Sequence, residues 1–158
     1  MRSELITSWT EHDVAVQKVL LLASKTLRIF DDDLSKLKLE SRENAESLQR
    51  FLTASQNNRL CIVLKNAEPL RRDSPRLMKL LKSYPQQMSV VECPPHLASF
   101  NSSLCLADER NALVRIHQDH ARARIIIDSA QECAPYAQQF EAIRAEGGEP
   151  ISTTTLGL

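Results

Sequence analysis

The order of its apolar runs constrains the fold of this chain more than any other feature. Short apolar runs at residues 27–30, 60–64 and 88–91 alternate with stretches in which apolar residues recur every three or four positions. Runs of this kind are typical of strands buried on both faces, and the three- to four-residue spacing predicts amphipathic helices. The alternation therefore predicts strand-helix-strand crossovers within one sheet.

Helix starts are indicated by capping residues. Thr10 predicts the start of a first helix that runs to residue 24, and Ser41 predicts the N-cap of a second helix. Ser74, followed by Pro75 at the first helical position, predicts a third helix. The second and third of these helices each connect two of the apolar runs, and all three would cover the sheet.

The second half of the chain changes pattern, with three strands in succession before one last helix. The predicted ranges are 102–108, 112–116, 124–128 and, for the helix, 131–146. Ser129 and Glu132 have the spacing of a capping box at the start of this helix, although Pro135 would fit better in a first turn. Together the elements predict an α/β fold, a mixed β-sheet flanked by helices on both faces. We expect one domain over residues 1–148 and a C-terminal tail at 149–158.

Composition narrows the possible partners. The 158 residues include 20 basic and 20 acidic side chains, so no net charge attracts nucleic acid or an anionic membrane. No apolar stretch is long enough for a signal peptide or a membrane span, which predicts a cytoplasmic protein. The four cysteines form no Cys-x-x-Cys pair, so we expect reduced structural thiols, and nothing in the sequence indicates a cofactor or a bound metal.

Residues 101–108, NSSLCLAD, lie on one of the predicted strands and have the spacing of a known signature. In phospholipase D-like enzymes this signature is His, any residue, Lys, four residues and Asp. The chain resembles a degenerate phospholipase D-like half-domain of bacterial proteins over about residues 26–147. Asn101 occupies the position of the His and Ser103 that of the Lys, whereas Asp108 agrees with the signature. Arg115 lies in the region where the family carries a Gly-Ser element.

The resemblance implies a protein that binds rather than catalyses. In the family two such motifs meet across a pseudo-dimer, where one His attacks phosphorus, the other protonates the leaving group, and the Lys side chains hold phosphate oxygens. The amide of Asn101 does neither, and Ser103 carries no charge. We therefore predict a noncatalytic binding or assembly module that pairs with a second copy of itself. Alternation along the strand predicts that Asn101 and Ser103 face a cleft, where His and Lys would be tolerated.

An enzymatic alternative rests on the acidic residues after the first apolar run. The segment IFDDDL at 29–34 resembles the nucleophile motif of haloacid dehalogenase-like phosphatases, in which a second Asp follows two residues after the first. This alternative predicts a metal-dependent phosphohydrolase that uses Asp31 and Asp33. An acidic loop that ends a strand explains the same residues without any catalytic role.

Basic residues offer two further alternatives. Lys65, Arg71 and Arg72 follow the second predicted strand, at the edge where open α/β sheets place ligands, so they form a candidate site for a phosphate-containing ligand. A second candidate is a basic stripe on neighbouring strands, formed by Arg110, Arg115, Arg122 and Arg124. This stripe would suit a nucleic-acid-associated protein, but aromatic residues make up only 4% of the chain, which argues against base stacking.

Overall fold

The computed structural model describes residues 2–153, which form eight strands, five α-helices and one 3-10 helix. The strands are β1 (Arg2–Ile6), β2 (Thr26–Asp31), β3 (Arg59–Leu64), β4 (Met88–Glu92), β5 (Ser103–Ala107), β6 (Asn111–Arg115), β7 (Ala123–Ile127) and β8 (Glu149–Pro150). The helices are α1 (Trp9–Leu22), α2 (Arg42–Ala54), α3 (Glu68–Asp73), α4 (Pro75–Ser83) and α5 (Ala130–Ala145), with the 3-10 helix at Pro95–Ser99.

All eight strands belong to one sheet in the order β1-β7-β6-β5-β2-β3-β4-β8. The three strands that alternate with helices, β2, β3 and β4, run parallel to one another. The remaining neighbours are antiparallel, and short connections join β5, β6 and β7 in succession. The predicted mixed sheet is therefore confirmed.

Helices cover both faces of this sheet. On one face α1, α2 and α4 bury a core that includes Val19, Leu48 and Leu77 against Leu27 and Ile62 of the parallel strands. On the opposite face α5 packs alone, and its residues join a second core with the alternate side chains of the same strands. Because successive side chains of a strand point to opposite faces, fully apolar runs are buried on both sides. Among the described residues, no helix is long and apolar enough to cross a membrane.

Helix starts agree with the sequence prediction to within two residues. The predicted start at Thr10 is wrong, because Ser8 is the N-cap of α1 and its hydroxyl accepts a hydrogen bond from the Glu11 N–H at 3.2 Å. Ser41 caps α2 as predicted. Ser129 caps α5, which settles the ambiguity that Pro135 raised: the proline lies inside the helix.

Several elements had no recognisable signal. β1, α3 and β8 are absent from the sequence prediction, and β8 corrects the predicted domain boundary. Residues 149–150 were expected to begin a tail, yet they pair with β4. Ile151 is buried beyond them and its N–H donates to the carbonyl of Val90 at 2.8 Å. The folded domain therefore extends to Ile151, and residues 154–158 of the predicted tail lie outside the described residues.

Candidate functional site

Three polar side chains from distant parts of the chain meet inside the domain. Arg115 at the end of β6 donates from Nη2 to Oδ1 of Asp31, at the end of β2, over 3.0 Å. Its Nη1 lies 2.9 Å from Nε2 of His12, on the second turn of α1. The side chains of Arg115 and Asp31 are each 1% exposed, and His12 is fully buried. We call these three residues the buried polar cluster.

The strand register explains how the ion pair forms. Ser103 of β5 pairs with Arg115 of β6, and Leu104 pairs with Phe30 of β2, so Ser103 lies between Arg115 and Asp31 on the same face of the sheet. Serine is small enough for the long guanidinium side chain to reach past it to the next strand but one. The identity of residue 103 therefore allows the ion pair to form.

Helix α1 packs against the sheet and covers the cluster on that face. His12 lies on the face that also buries Ala15, Val16 and Val19, at the three- to four-residue spacing of a helix. Trp9, one turn earlier, stacks edge-on against His12 with a centroid distance of 5.2 Å. The Trp9 ring also lies 5.5 Å from the guanidinium carbon of Arg115, a cation-π distance. The cluster is thus sealed by an aromatic side chain.

Burial decides the charge states in this cluster. It lowers the pKa of His12 to about 4, with a further contribution from the positive charge of Arg115, so the imidazole is neutral at physiological pH. Burial also lowers the pKa of Arg115, while Asp31 acts in the opposite direction. A neutral His12 accepts from Arg115 at Nε2, and its Nδ1 has no partner among the described residues. The cluster is electrically neutral: one cation, one anion and one neutral ring.

The motif-like positions differ from their expected environment. Ser103 is 2% exposed, so the prediction that it faces a cleft is wrong; it packs beside Arg115 instead. Asn101 is exposed, and its carbonyl accepts a hydrogen bond from the Gln118 N–H at 2.7 Å. Asp108 has a left-handed backbone with φ of 58°, and its carboxylate accepts hydrogen bonds from the N–H groups of residues 24–26. Asp108 therefore fixes the entry into β2.

The acidic alternative is contradicted by burial. Asp31 is fully buried, one of its carboxylate oxygens contacts Arg115, and the other accepts from the N–H of Leu34 at 2.8 Å. Asp33 caps its own loop, since its Oδ1 accepts from both the N–H and the hydroxyl of Ser35. A nucleophile must reach its substrate, and Asp31 does not meet solvent. Among the described residues, no group of three His, Cys, Asp or Glu side chains is arranged to hold a metal ion.

The predicted anion site is not assembled by direct contacts. Lys65 donates to the carbonyl of Phe100 at 2.8 Å and lies 3.3 Å from Oε1 of Gln118, so it links two loops. Arg71 and Arg72 are exposed in the last turn of α3. Within residues 2–153 no contact joins Lys65 to either arginine. The three residues therefore remain a surface feature rather than a constructed pocket.

The predicted basic stripe is also incomplete. Arg115 is buried in the polar cluster and does not belong to any surface, so its inclusion is wrong. Arg110 pairs with Asp128 at 3.4 Å, and Arg124 donates to the hydroxyl of Ser3. Arg110 is exposed but paired with Asp128, so Arg122 and Arg124 are the exposed arginines of the stripe that no carboxylate pairs with in the described part of the chain. Two arginines, one of them already hydrogen-bonded, make a weak electrostatic surface.

Sequence reasoning missed His12, which connects α1 to the sheet. Its only signal was its position on the apolar stripe of the first helix, at helical spacing from Ala15 and Val16. A polar residue on such a stripe indicates a buried partner, yet the partner, Arg115, lies 103 residues further along the chain.

Solved structures similar to this chain share its fold. TrmBL2, described as an archaeal chromatin protein with a novel mode of DNA binding, matches with a TM-score of 0.68 at 13% identity over 96% of this chain. The chain spans only 55% of TrmBL2. Nuc from Salmonella typhimurium, a phospholipase D family member, matches with a TM-score of 0.64 at 10% identity, over 95% of this chain and 99% of Nuc. NucT from Helicobacter pylori matches with 0.61 at 9% identity, over 94% and 98%.

These similarities confirm a phospholipase D-like fold. No curated protein matches the sequence significantly. Residues 8–149 match the sequence profile of a family described as "Domain of unknown function (DUF7931)".

Proposed function

We propose, given that the chain belongs to the DUF7931 family, that it is a noncatalytic phospholipase D-like domain that acts by binding or assembly. One observation carries this proposal: Ser103, which stands where the resemblance expects a phosphate-holding Lys, is buried beside the Arg115–Asp31 ion pair. In an active relative this position must reach substrate. Here the space is filled by an internal, electrically neutral contact.

The remaining polar groups do not replace the missing chemistry. Asn101 is an amide, which neither transfers a proton nor attacks phosphorus at neutral pH. His12 contacts Arg115, the cross-strand neighbour of Ser103, but Trp9 covers it and its Nε2 already accepts from Arg115. For His12 to attack a phosphodiester, α1 would have to leave the sheet. Arg115 forms an ion pair with Asp31, so its positive charge is not directed to a ligand.

Turnover assays test the noncatalytic part of the proposal. Purified protein is incubated with bis(4-nitrophenyl) phosphate and 4-nitrophenyl phosphate, with Mg²⁺ or with a chelator. We expect no turnover by the wild type under any of these conditions. Turnover that His12→Gln or Asp31→Asn abolishes, while the exposed control His120→Gln retains it, would contradict a noncatalytic domain. Circular dichroism of each variant separates lost activity from lost fold.

The assembly part concerns a second copy of the chain. The sequence has one motif-like segment, and the structure exposes two large apolar side chains on the loops beside it: Ile116 is 64% exposed and Phe100 is 38% exposed. The two loops are joined, because Gln118 donates to the carbonyl of Asn101 and Lys65 donates to that of Phe100. An apolar edge beside the motif segment suits a twofold homodimer in which these edges face each other.

Light scattering at tens of micromolar tests this assembly, since even a modest interface is populated there. We expect a dimer for the wild type and a monomer for Ile116→Asp. Leu21→Asp is the matched control, because Leu21 is 63% exposed near the opposite end of α1 from His12, which contacts Arg115 next to Ile116. A monomeric wild type, or equal dissociation by both variants, would contradict the proposed interface.

A further inference from the structure

The single helix on the second face leaves part of the sheet uncovered. Helix α5 packs over β2, β5 and β6, and the first residues of β3 and β4 extend beyond it. A groove of about 430 Å³ lies in this place, bounded by the starts of β2, β3 and β4, the loop before β4 and the end of α5. It lies at the edge of the sheet where β2 begins, whereas Asn101 and Ser103 lie at the edge where β2 ends.

The floor of this groove is polar. Arg28, Cys61 and Ser89 are aligned across the three parallel strands, since Arg28 pairs with Cys61 and Cys61 with Ser89. Their sequence neighbours Leu27 and Leu60 point to the opposite, helix-covered core. Elsewhere the same face of the sheet is apolar, with Phe30 and Val63 in the second core. The polar row is therefore confined to the uncovered part of the sheet.

Arg28 has fewer acceptors than donors. Its side chain is 15% exposed, with Nη1 3.0 Å from Oε2 of Glu141 and Nη2 only 3.5 Å from the carbonyl of Asp108. Its Nε is buried and has no partner among the described residues. A guanidinium presents five N–H donors, and a buried donor without an acceptor is destabilising. The contact of Nη2 is long at 3.5 Å, so this group can donate to a further acceptor in the groove.

Two more arginines line the same groove. Arg144 shares Glu141 with Arg28, at 3.5 Å, so one carboxylate serves two guanidinium groups. Within residues 2–153, the side chain of Arg59 donates to the backbone carbonyls of Gln56 and Asn58 and pairs with no carboxylate. Glu109 and Glu141 are the acidic residues of the lining. Three cations against two anions leave one positive charge that no carboxylate of the groove compensates.

We propose that this groove binds a small phosphate monoester, with its phosphate contacted by Arg28, Arg59 and Arg144. Guanidinium groups match the oxygens of a phosphate in paired hydrogen bonds. Three guanidinium groups suit the double negative charge of a phosphate better than the single negative charge of a carboxylate ligand. The volume falls within the range of small-molecule sites. Ser89 is exposed on the floor and offers a hydroxyl to the ester. The proposal does not depend on the noncatalytic role or on the dimer.

Calorimetric titration with glycerol 3-phosphate, inorganic phosphate and uncharged glycerol tests this site. We expect saturable binding of the first two and none of glycerol, with glycerol 3-phosphate the tighter. Arg59→Gln and Arg144→Gln should each weaken binding by about tenfold, the effect of losing one charge-assisted contact. Both side chains are exposed, so the fold survives their replacement. Arg50→Gln, an exposed arginine on α2, is the matched control and should bind like the wild type.

Glu141→Gln gives the sharpest result, because it removes the carboxylate that competes with the ligand for two arginines. We expect tighter binding than in the wild type, by several-fold. The proposal is overturned if the wild type shows no saturable binding in the millimolar range. It is equally overturned if Glu141→Gln weakens binding, or if Arg50→Gln weakens it as much as Arg59→Gln does.

Discussion

Acidification should destabilise this protein through His12. Burial, together with the charge of Arg115, lowers the pKa of His12 from 6.5 to about 4. Between these two values the unfolded chain binds a proton at His12 and the folded chain does not, so the free energy of unfolding falls as the pH falls. Above this window both states are neutral and the contribution is fully present. Each tenfold rise in proton concentration removes about 1.4 kcal/mol, so His12 alone removes about 3 kcal/mol across the window.

Urea unfolding at a series of pH values measures this effect. Trp9, the single tryptophan of the chain, contacts His12 and reports the loss of the cluster by its fluorescence. The carboxylates also titrate at the acidic end, so the quantity of interest is the difference between wild type and His12→Gln. The variant should lose most of the slope, whereas the exposed control His120→Gln should keep it. Equal slopes for the wild type and His12→Gln would refute the reasoning.

Three further predictions concern the motif region and its surroundings. Asp31→Asn leaves a buried guanidinium without its carboxylate and should cost about 3–5 kcal/mol in urea unfolding, whereas Asp33→Asn should cost less than about 1 kcal/mol. Asn101→His at an exposed position should melt near the wild-type temperature, but adding Ser103→Lys buries an ammonium beside a guanidinium and should lose several kcal/mol. Asp108→Ala should lower the melting temperature more than Asp108→Asn, because asparagine tolerates the left-handed backbone and still accepts hydrogen bonds.

Each of these predictions has a clear contrary result. Equal stability of Asp31→Asn and Asp33→Asn would mean that the ion pair contributes nothing. If the double variant of positions 101 and 103 melted like the wild type, residue 103 would have to face a cleft rather than the core. Equal melting temperatures of the two Asp108 variants would contradict the structural role of that carboxylate.

The buried polar cluster is the basis for proposing that this chain is noncatalytic despite its phospholipase D-like fold. Three layers and a mixed sheet are shared with Nuc and NucT, at 10% and 9% identity. The fold therefore persists when most side chains differ, because it depends on the pattern of apolar positions rather than on particular residues. In this chain Ser103, beside the motif segment, leaves room for Arg115 to reach Asp31.

Elements with local signals could be predicted from the sequence alone. The apolar runs at 27–30, 60–64 and 88–91 predicted three strands, and all three are present and parallel. Ser41 predicted the start of α2, because an N-cap is satisfied by a backbone group three residues away. Periodicity and capping act within one or two turns of chain, so they are readable without tertiary information.

The contents of the candidate site depend on long-range contacts that no local pattern predicts. His12 and Arg115 are 103 residues apart, and Arg115 and Asp31 are 84 apart, so no local pattern connects them. The alternation along the strand placed Ser103 on the correct face, but whether that face was a cleft or a core depended on α1 packing over it. The edge strands β1 and β8 escaped prediction for the same reason: their pairing with β7 and β4 comes from neighbours that are distant in sequence. Long-range contacts set burial, and burial lowers the pKa of His12 so that its ring is neutral.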